Sequence, residues 1–109
     1  QILCHYVLED INIFLPSKED YLRLDSKFMA PTHISYGGNN RTVLIRMPDS
    51  KPKRLEHRLA GANADPVAVI YSILHSIKKG IENFADIESL AKTFGNASDP
   101  QYALRKIQL

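Results

Sequence analysis

Arg54, Glu56 and Arg58 alternate with Leu55, His57 and Leu59 inside a run that reads as a β-strand over residues 53–59. Side chains of a strand point to opposite faces with a period of two. One face then carries the two guanidiniums and the carboxylate, and the other carries the leucines with His57. The arginines stand about 13 Å apart, with Glu56 midway. Such a face cannot pack into an apolar core without a large desolvation cost. It must meet water, a partner or a polar cleft. A solvated edge with weak ion pairs accounts for the pattern. So does a metal–phosphate site, in which Glu56 would hold a hard divalent cation. The arginines would then grip phosphate or carboxylate through paired N–H groups.

More positive charge lies just upstream. Arg41 follows a Gly/Asn turn, and Arg46 comes five residues later. Residues 41–58 hold six basic and two acidic side chains, a local net charge of +4 where the whole chain has +2. Local basicity of this kind suits an anionic ligand, although a generic basic surface has the same composition. The segment has no interleaved aromatics for base stacking, so no nucleic-acid partner is expected. His5, His33, His57 and His75 share no metal-ligand spacing. Cys4 has no base beside it in sequence and reads as a small buried apolar residue. Gly37 and Gly38 make neither a phosphate-binding loop nor a dinucleotide fingerprint.

These residues need elements to position them. Leu3, Val7, Ile11 and Phe14 fall on one helical stripe, which predicts a helix over residues 1–15 ended by Pro16. Ser17 and Asp20 have the spacing of a capping box and start a short second helix, with apolar contacts from Tyr21, Leu22 and Leu24. Residues 33–36, 42–47 and 53–59 read as strands separated by Gly37–Asn40 and Pro48–Pro52 turns. A helix is predicted over residues 66–79, with Asp65 as N-cap and Pro66 at the first position. Ile70, Ile73, Leu74 and Ile77 would form its buried face, and Gly80 would end it.

The chain has 109 residues, 44% hydrophobic and 24% charged, which is one domain's worth of ordinary globular composition. A single cysteine excludes an internal disulfide framework and suits a reducing, cytoplasmic setting. The most apolar stretch, residues 67–74, is too short to cross a bilayer, so no membrane partner is expected. The first residue is Gln1, not Met, as expected for a piece of something longer.

The run Asn40-Arg41-Thr42, then Ile45-Arg46-Met47-Pro48, then Arg54-Leu55-Glu56-His57-Arg58, then Asn63 to Pro66 resembles the C-terminal part of the catalytic domain of glutamine synthetase. Tyr21-Leu22-Arg23-Leu24 and Ala30-Pro31 precede it in matching order. The likeness covers residues 16–80 well and Gly95-Asn96-Ala97 more loosely. It implies that residues 1–109 are a C-terminal fragment of an α+β catalytic domain, with antiparallel strands and flanking helices. It also implies an ATP-driven ligase that joins an amine to the γ-carboxylate of glutamate through a γ-glutamyl phosphate. By the same resemblance Arg41 is catalytic and contacts phosphate, and Arg41, Arg46, Lys51 and Arg54 bind ATP. Arg23 and Arg58 would hold the glutamate carboxylate, and Glu56 would ligate Mg²⁺ or Mn²⁺. The partners implied are glutamate and a small amine or ammonium, in a homo-oligomeric ring.

Three positions depart from that pattern. Ammonia-using members carry a flap glutamate two residues before the proline matching Pro31, and here that residue is Met29. A thioether is no base and attracts no ammonium. An apolar residue there suits a partly aliphatic amine, so the chain looks more like the γ-glutamyl-amine ligases, among them the γ-glutamylputrescine synthetases. Glu19-Asp20 stands where the family has Asn-Ser, and Asp65-Pro66-Val67 where it has Asn-Pro-Tyr. An ammonia-using enzyme and a non-catalytic relative are the alternatives. The fragment alone is expected to be inactive and to self-associate.

Overall fold

The computed structural model describes residues 1–108. The apolar stripe of the first fifteen residues does point inward, but the helix comes in pieces. α1 spans Ile2–Tyr6 and α2 spans Ile11–Phe14, with a 3-10 turn over Val7–Asp10 between them. Leu3, Val7 and Phe14 are buried. Asp10 leaves the helical region at the junction (φ −114°, ψ 24°), and its carboxylate accepts from the Ser72 hydroxyl at 2.6 Å.

α3, Lys18–Tyr21, starts with the expected capping box. Asp20 accepts from Ser17 N and Oγ, each at 3.0 Å, and from Asn63 N and Nδ2, each at 3.4 Å. Burial opposes charging Asp20, yet these hydrogen bonds hold its carboxyl below the usual range. The Glu19-Asp20 departure therefore has a structural use: Asp20 ties α3 to the loop at residues 61–63. α3 is one turn long and turns only part of its surface inward. Tyr21 and Leu24 pack on the core, whereas Leu22 is 76% exposed, contrary to expectation.

The three strands are much shorter than their apolar runs. β1 is Tyr36–Gly37, β2 is Ile45–Arg46 and β3 is Glu56–His57, in the order β1-β2-β3. β2 and β3 are antiparallel, with Ile45 opposite His57 and Arg46 opposite Glu56. β1 and β2 are parallel, so the α+β class holds while the expected all-antiparallel pairing does not. The Gly37–Asn40 turn does not close a hairpin because Asn40 is bonded elsewhere. Its Nδ2 donates to Gly95 O at 2.7 Å, and its Oδ1 accepts from Thr42 N (2.9 Å) and Oγ1 (2.6 Å). The loop detours to the segment around residue 95 and re-enters the sheet in its original direction. On the far edge of β1, Thr93 N donates to Tyr36 O at 2.9 Å. A Cβ on Gly37 would meet Thr93 O at 2.7 Å, so this close approach needs glycine.

α4, Pro66–Glu82, begins as predicted: Asp65 accepts from Val67 N at 3.0 Å and Pro66 occupies the first turn. It runs past Gly80. A Cβ on Gly80 would lie 2.8 Å from Ile2 Cγ1, so this glycine lets α1 approach and does not end the helix. Ser72, Ser76 and Gly80 are buried, and Val69, Ile73 and Ile77 pack beside them. Seating α1 in this groove of small residues rotates the helix away from the expected face. Ile70 and Leu74 are left 59% and 61% exposed.

Candidate functional site

The β2–β3 register builds the centre of the site. Arg46 and Glu56 are cross-strand partners, and Arg46 Nη1 donates to both Glu56 oxygens at 3.0 and 3.1 Å. Arg54 lies just before β3, and its Nη2 reaches Glu56 Oε1 at 3.3 Å, on the same side as Glu56. The hydrogen bond from Arg46, and then the charges of Arg46 and Arg54, hold the Glu56 carboxyl below its ordinary range against partial desolvation. Arg46 Nε is buried and has no hydrogen-bond partner among the described residues. Behind the pair, His57 stacks on Phe14 at 4.5 Å and 9°, and burial pushes its imidazole down to about 4.

Arg58 is the next cation along. Its Nη1 donates to Arg41 O, and its Nη2 donates to Met29 O at 3.0 Å. Burial, and then the guanidiniums of Arg46, Arg23 and Arg41, push Arg58 below its ordinary value, with Glu56 opposing. An arginine so placed stays charged. Arg23 Nη2 donates to Leu59 O at 2.8 Å and to the Arg58 and Ala60 carbonyls at 3.3 Å. Arg46 and Arg54 thus hold the Glu56 carboxylate, while Arg58 and Arg23 are anchored on backbone carbonyls. Met29 has a left-handed backbone (φ 55°), which for a side chain of this kind costs about 1 kcal/mol. Arg58 binds the carbonyl of that residue.

One expectation fails here. Leu55 does not join His57 and Leu59 in the core. It is 49% exposed and, with Met47 and Pro48, lines an open cleft of about 620 Å³. β3 begins at Glu56, one residue after Leu55, so the period-two rule does not bind Leu55. Lys51 is exposed in the 48–52 turn, outside the residues lining that cleft, whose cations are Lys53, Arg54 and Lys92. Lys53 sat inside the basic run without being singled out. Lys92 had no signal, because its segment carries neither periodicity nor a motif.

The remaining candidates behave as structural groups. Cys4 is buried, its thiol pushed up to about 11 by burial. His5 accepts from Glu88 N at 3.1 Å, and His75 stacks on Tyr71. Among the described residues no three His, Cys, Asp or Glu side chains come together as a metal site. Glu56 is ionised and half-buried with lone pairs to spare, so it fits one position of an oxygen shell around a divalent cation. The described residues do not supply the rest of that shell. Among the described residues no helix is long and apolar enough to cross a membrane.

The profile of the family described as "Glutamine synthetase, catalytic domain" matches residues 3–107. The chain belongs to the glutamine synthetase family. It is 38% identical over 73 residues to "Gamma-glutamylputrescine synthetase PuuA" of Escherichia coli (strain K12), covering 65% of this chain and 16% of that protein. It is 38% identical over 79 residues to "Glutamine synthetase" of Pyrococcus furiosus, covering 67% of this chain and 18% of that protein. The protein of the same name from Neisseria gonorrhoeae is 37% identical over 71 residues, covering 62% and 15%. The chain therefore spans about a sixth of the length of these relatives. Arg46, Arg54 and Glu56 form one hydrogen-bonded group, and Arg58 and Arg23, which reach the backbone carbonyls of Arg41 and Arg58, form another beside it.

Proposed function

We propose that the protein carrying this chain is an ATP-dependent ligase that joins a small amine to the γ-carboxylate of glutamate. Residues 1–109 would be a C-terminal piece of its catalytic domain that contributes most of the site's cations. The carrying observation is the ionised Glu56 held between Arg46 and Arg54, with Arg58 and Arg23 anchored on backbone carbonyls beside it. Phosphoryl transfer is catalysed by positioning and by neutralising the phosphoryl oxygens. Arg41 is exposed, its guanidinium hydrogen-bonded to nothing among the described residues, and would contact the transferring phosphoryl group. Arg46, Arg54 and, more remotely, Lys51 would hold the nucleotide. Arg58 and Arg23 would orient the glutamate carboxylate. Glu56 would be one ligand of Mg²⁺ or Mn²⁺, which when bound adds neutralising charge at the phosphate oxygens. The other ligands would come from beyond this chain, so the chain alone is expected to lack turnover. A cytoplasmic homo-oligomeric ring is the assembly the family implies.

Met29 supports an amine acceptor. It is half exposed, its carbonyl is bonded to Arg58, and its side chain brings neither a base nor a negative charge. The near-equal identity to relatives named glutamine synthetase makes ammonium the second acceptor to test. The experiment follows ADP release by the full-length protein with glutamate, ATP and Mg²⁺, comparing ammonium with a panel of amines that includes putrescine. Preference for an amine, moved toward ammonium by Met29→Glu, is the expected result. Preference of the unaltered protein for ammonium would reverse the amine assignment. Silence with every acceptor would favour a non-catalytic relative.

A further inference from the structure

The 620 Å³ cleft beside Arg54 has a composition that the 41–58 motif alone does not explain. It is lined by apolar Met47, Pro48 and Leu55 and by the cations Lys53, Arg54 and Lys92, against a single carboxylate, Asp49. Lys92 arrives from 38 positions beyond Arg54, and its place is not left to chance. Thr93 beside it is buried, and its N–H is bonded to β1. Asn40 Nδ2 clasps both Thr93 O and Gly95 O, at 3.4 and 2.7 Å. The Lys92 stem lies over Gly38: Nζ and Cε would be 3.7 and 3.8 Å from a Cβ there. The ammonium sits 5.5 Å from the centre of the Phe94 ring, and no carboxylate pairs with it among the described residues. Lys92 also walls a second recess of about 280 Å³ with Asn39, Asn40 and Phe94. The clasped backbone of Thr93 and Gly95 thus carries an uncompensated cation to a cleft that already has two more.

We propose that Lys92 is a further phosphate-binding residue of the nucleotide site, acting with Lys53 and Arg54. This deepens the ATP assignment above and rests on it. A lining of apolar side chains and cations matches a nucleoside polyphosphate, whose base needs apolar surface and whose phosphates need positive charge. Glutamate, with its own ammonium group and no flat apolar part, matches it poorly.

The test is calorimetric titration of ATP with Mg²⁺ into the full-length protein and into a charge series at Lys92, which is exposed and so can be replaced without loss of folding. Lys92→Arg should bind within twofold of the unaltered protein. Lys92→Met should raise Kd about fivefold, and Lys92→Glu on the order of thirtyfold. Lys78→Glu, on the outer side of α4, is the control for net charge and should leave Kd within twofold. In steady state, KM for ATP should rise in Lys92→Met while kcat at saturating ATP and KM for glutamate stay unchanged. Equal Kd across the series overturns the proposal, as does an equal drop in Lys92→Glu and Lys78→Glu, or a change confined to KM for glutamate. Failure of the unaltered protein to bind ATP would sink the nucleotide assignment itself. Normal ATP binding that ignores Lys92 would sink only this inference.

Discussion

At the scale of residues, the Arg46–Glu56 pair and His57 set opposite demands on pH and charge. Glu56→Gln keeps the shape of the side chain but leaves Arg46 and Arg54 without their anion. ADP release by the full-length protein should slow about a hundredfold if the proposed function holds, with circular dichroism unchanged. A variant within threefold of the unaltered protein would take Glu56 out of the site. His57 is buried and neutral, its ordinary value of 6.5 pushed down to about 4. The unfolded chain takes up a proton below pH 6.5 that the folded chain refuses until about 4. Stability from this group is therefore complete above pH 6.5 and falls as pH drops toward 4. At pH 5 the cost is about 2 kcal/mol. His57→Phe preserves the stack on Phe14 and should remove that part of the stability lost between pH 7 and pH 5 in urea titrations. An identical loss in both proteins would show that another group carries the acid sensitivity.

Among the elements, α4 and its contact with α1 are the most informative. Two effects compete at Gly80. Alanine in a helix interior gains about 1 kcal/mol over glycine. Overpacking of a tight contact costs about 1–3 kcal/mol. Gly80 has Ile2 so close that a Cβ could not fit without movement, so the clash should win. Gly80→Ala should lower the denaturation midpoint, and adding Ile2→Ala should give back part of the loss. A more stable Gly80→Ala would mean that α1 is not held against α4 as described. The Lys79–Glu9 ion pair and the Lys79 ammonium 4.2 Å from the Tyr6 ring centre brace the same contact.

Over the whole molecule, size and surface disagree in a useful way. The radius of gyration is 13.4 Å, and about 13 Å is usual for this length. The accessible surface is 7063 Å², whereas a monomer of this mass has about 6,100 Å². Part of the excess lies along one side of α4, where Val67, Ile70, Tyr71, Leu74 and Ile81 are all more than half exposed. Successive spacings of three, one, three and seven keep them on one side of the helix as a continuous stripe. Apolar stripes of this extent drive association in isolated chains. The 109-residue chain by itself should sediment as a mixture of oligomers, and Ile70→Lys with Leu74→Lys should shift it toward monomer at unchanged helicity. A monodisperse monomer with a sharp cooperative melt would contradict this.

What the sequence determined by itself is what depends on near neighbours. The Ser17–Asp20 capping box, the Asp65–Pro66 start of α4 and the shared face of Arg54 and Glu56 each involve residues one to three apart, where backbone geometry leaves little choice. The apolar content of residues 42–47 likewise marked Val43, Leu44 and Ile45 as interior. The tertiary structure alone decided the rest. Arg46 meets Glu56 because a register pairs two strands ten residues apart, and many registers satisfy the same pattern. β1 runs parallel to β2 because Asn40 is bonded to a segment 55 residues away. Gly80 lies inside α4, not at its end, and the Ile70–Leu74 face turns outward, because α1 needed a groove of small side chains. Lys92 joins Arg54 at one cleft only through that same long-range clasp. Local sequence constrains dihedral angles and faces, whereas register, helix rotation and the convergence of distant cations depend on which surfaces pack together.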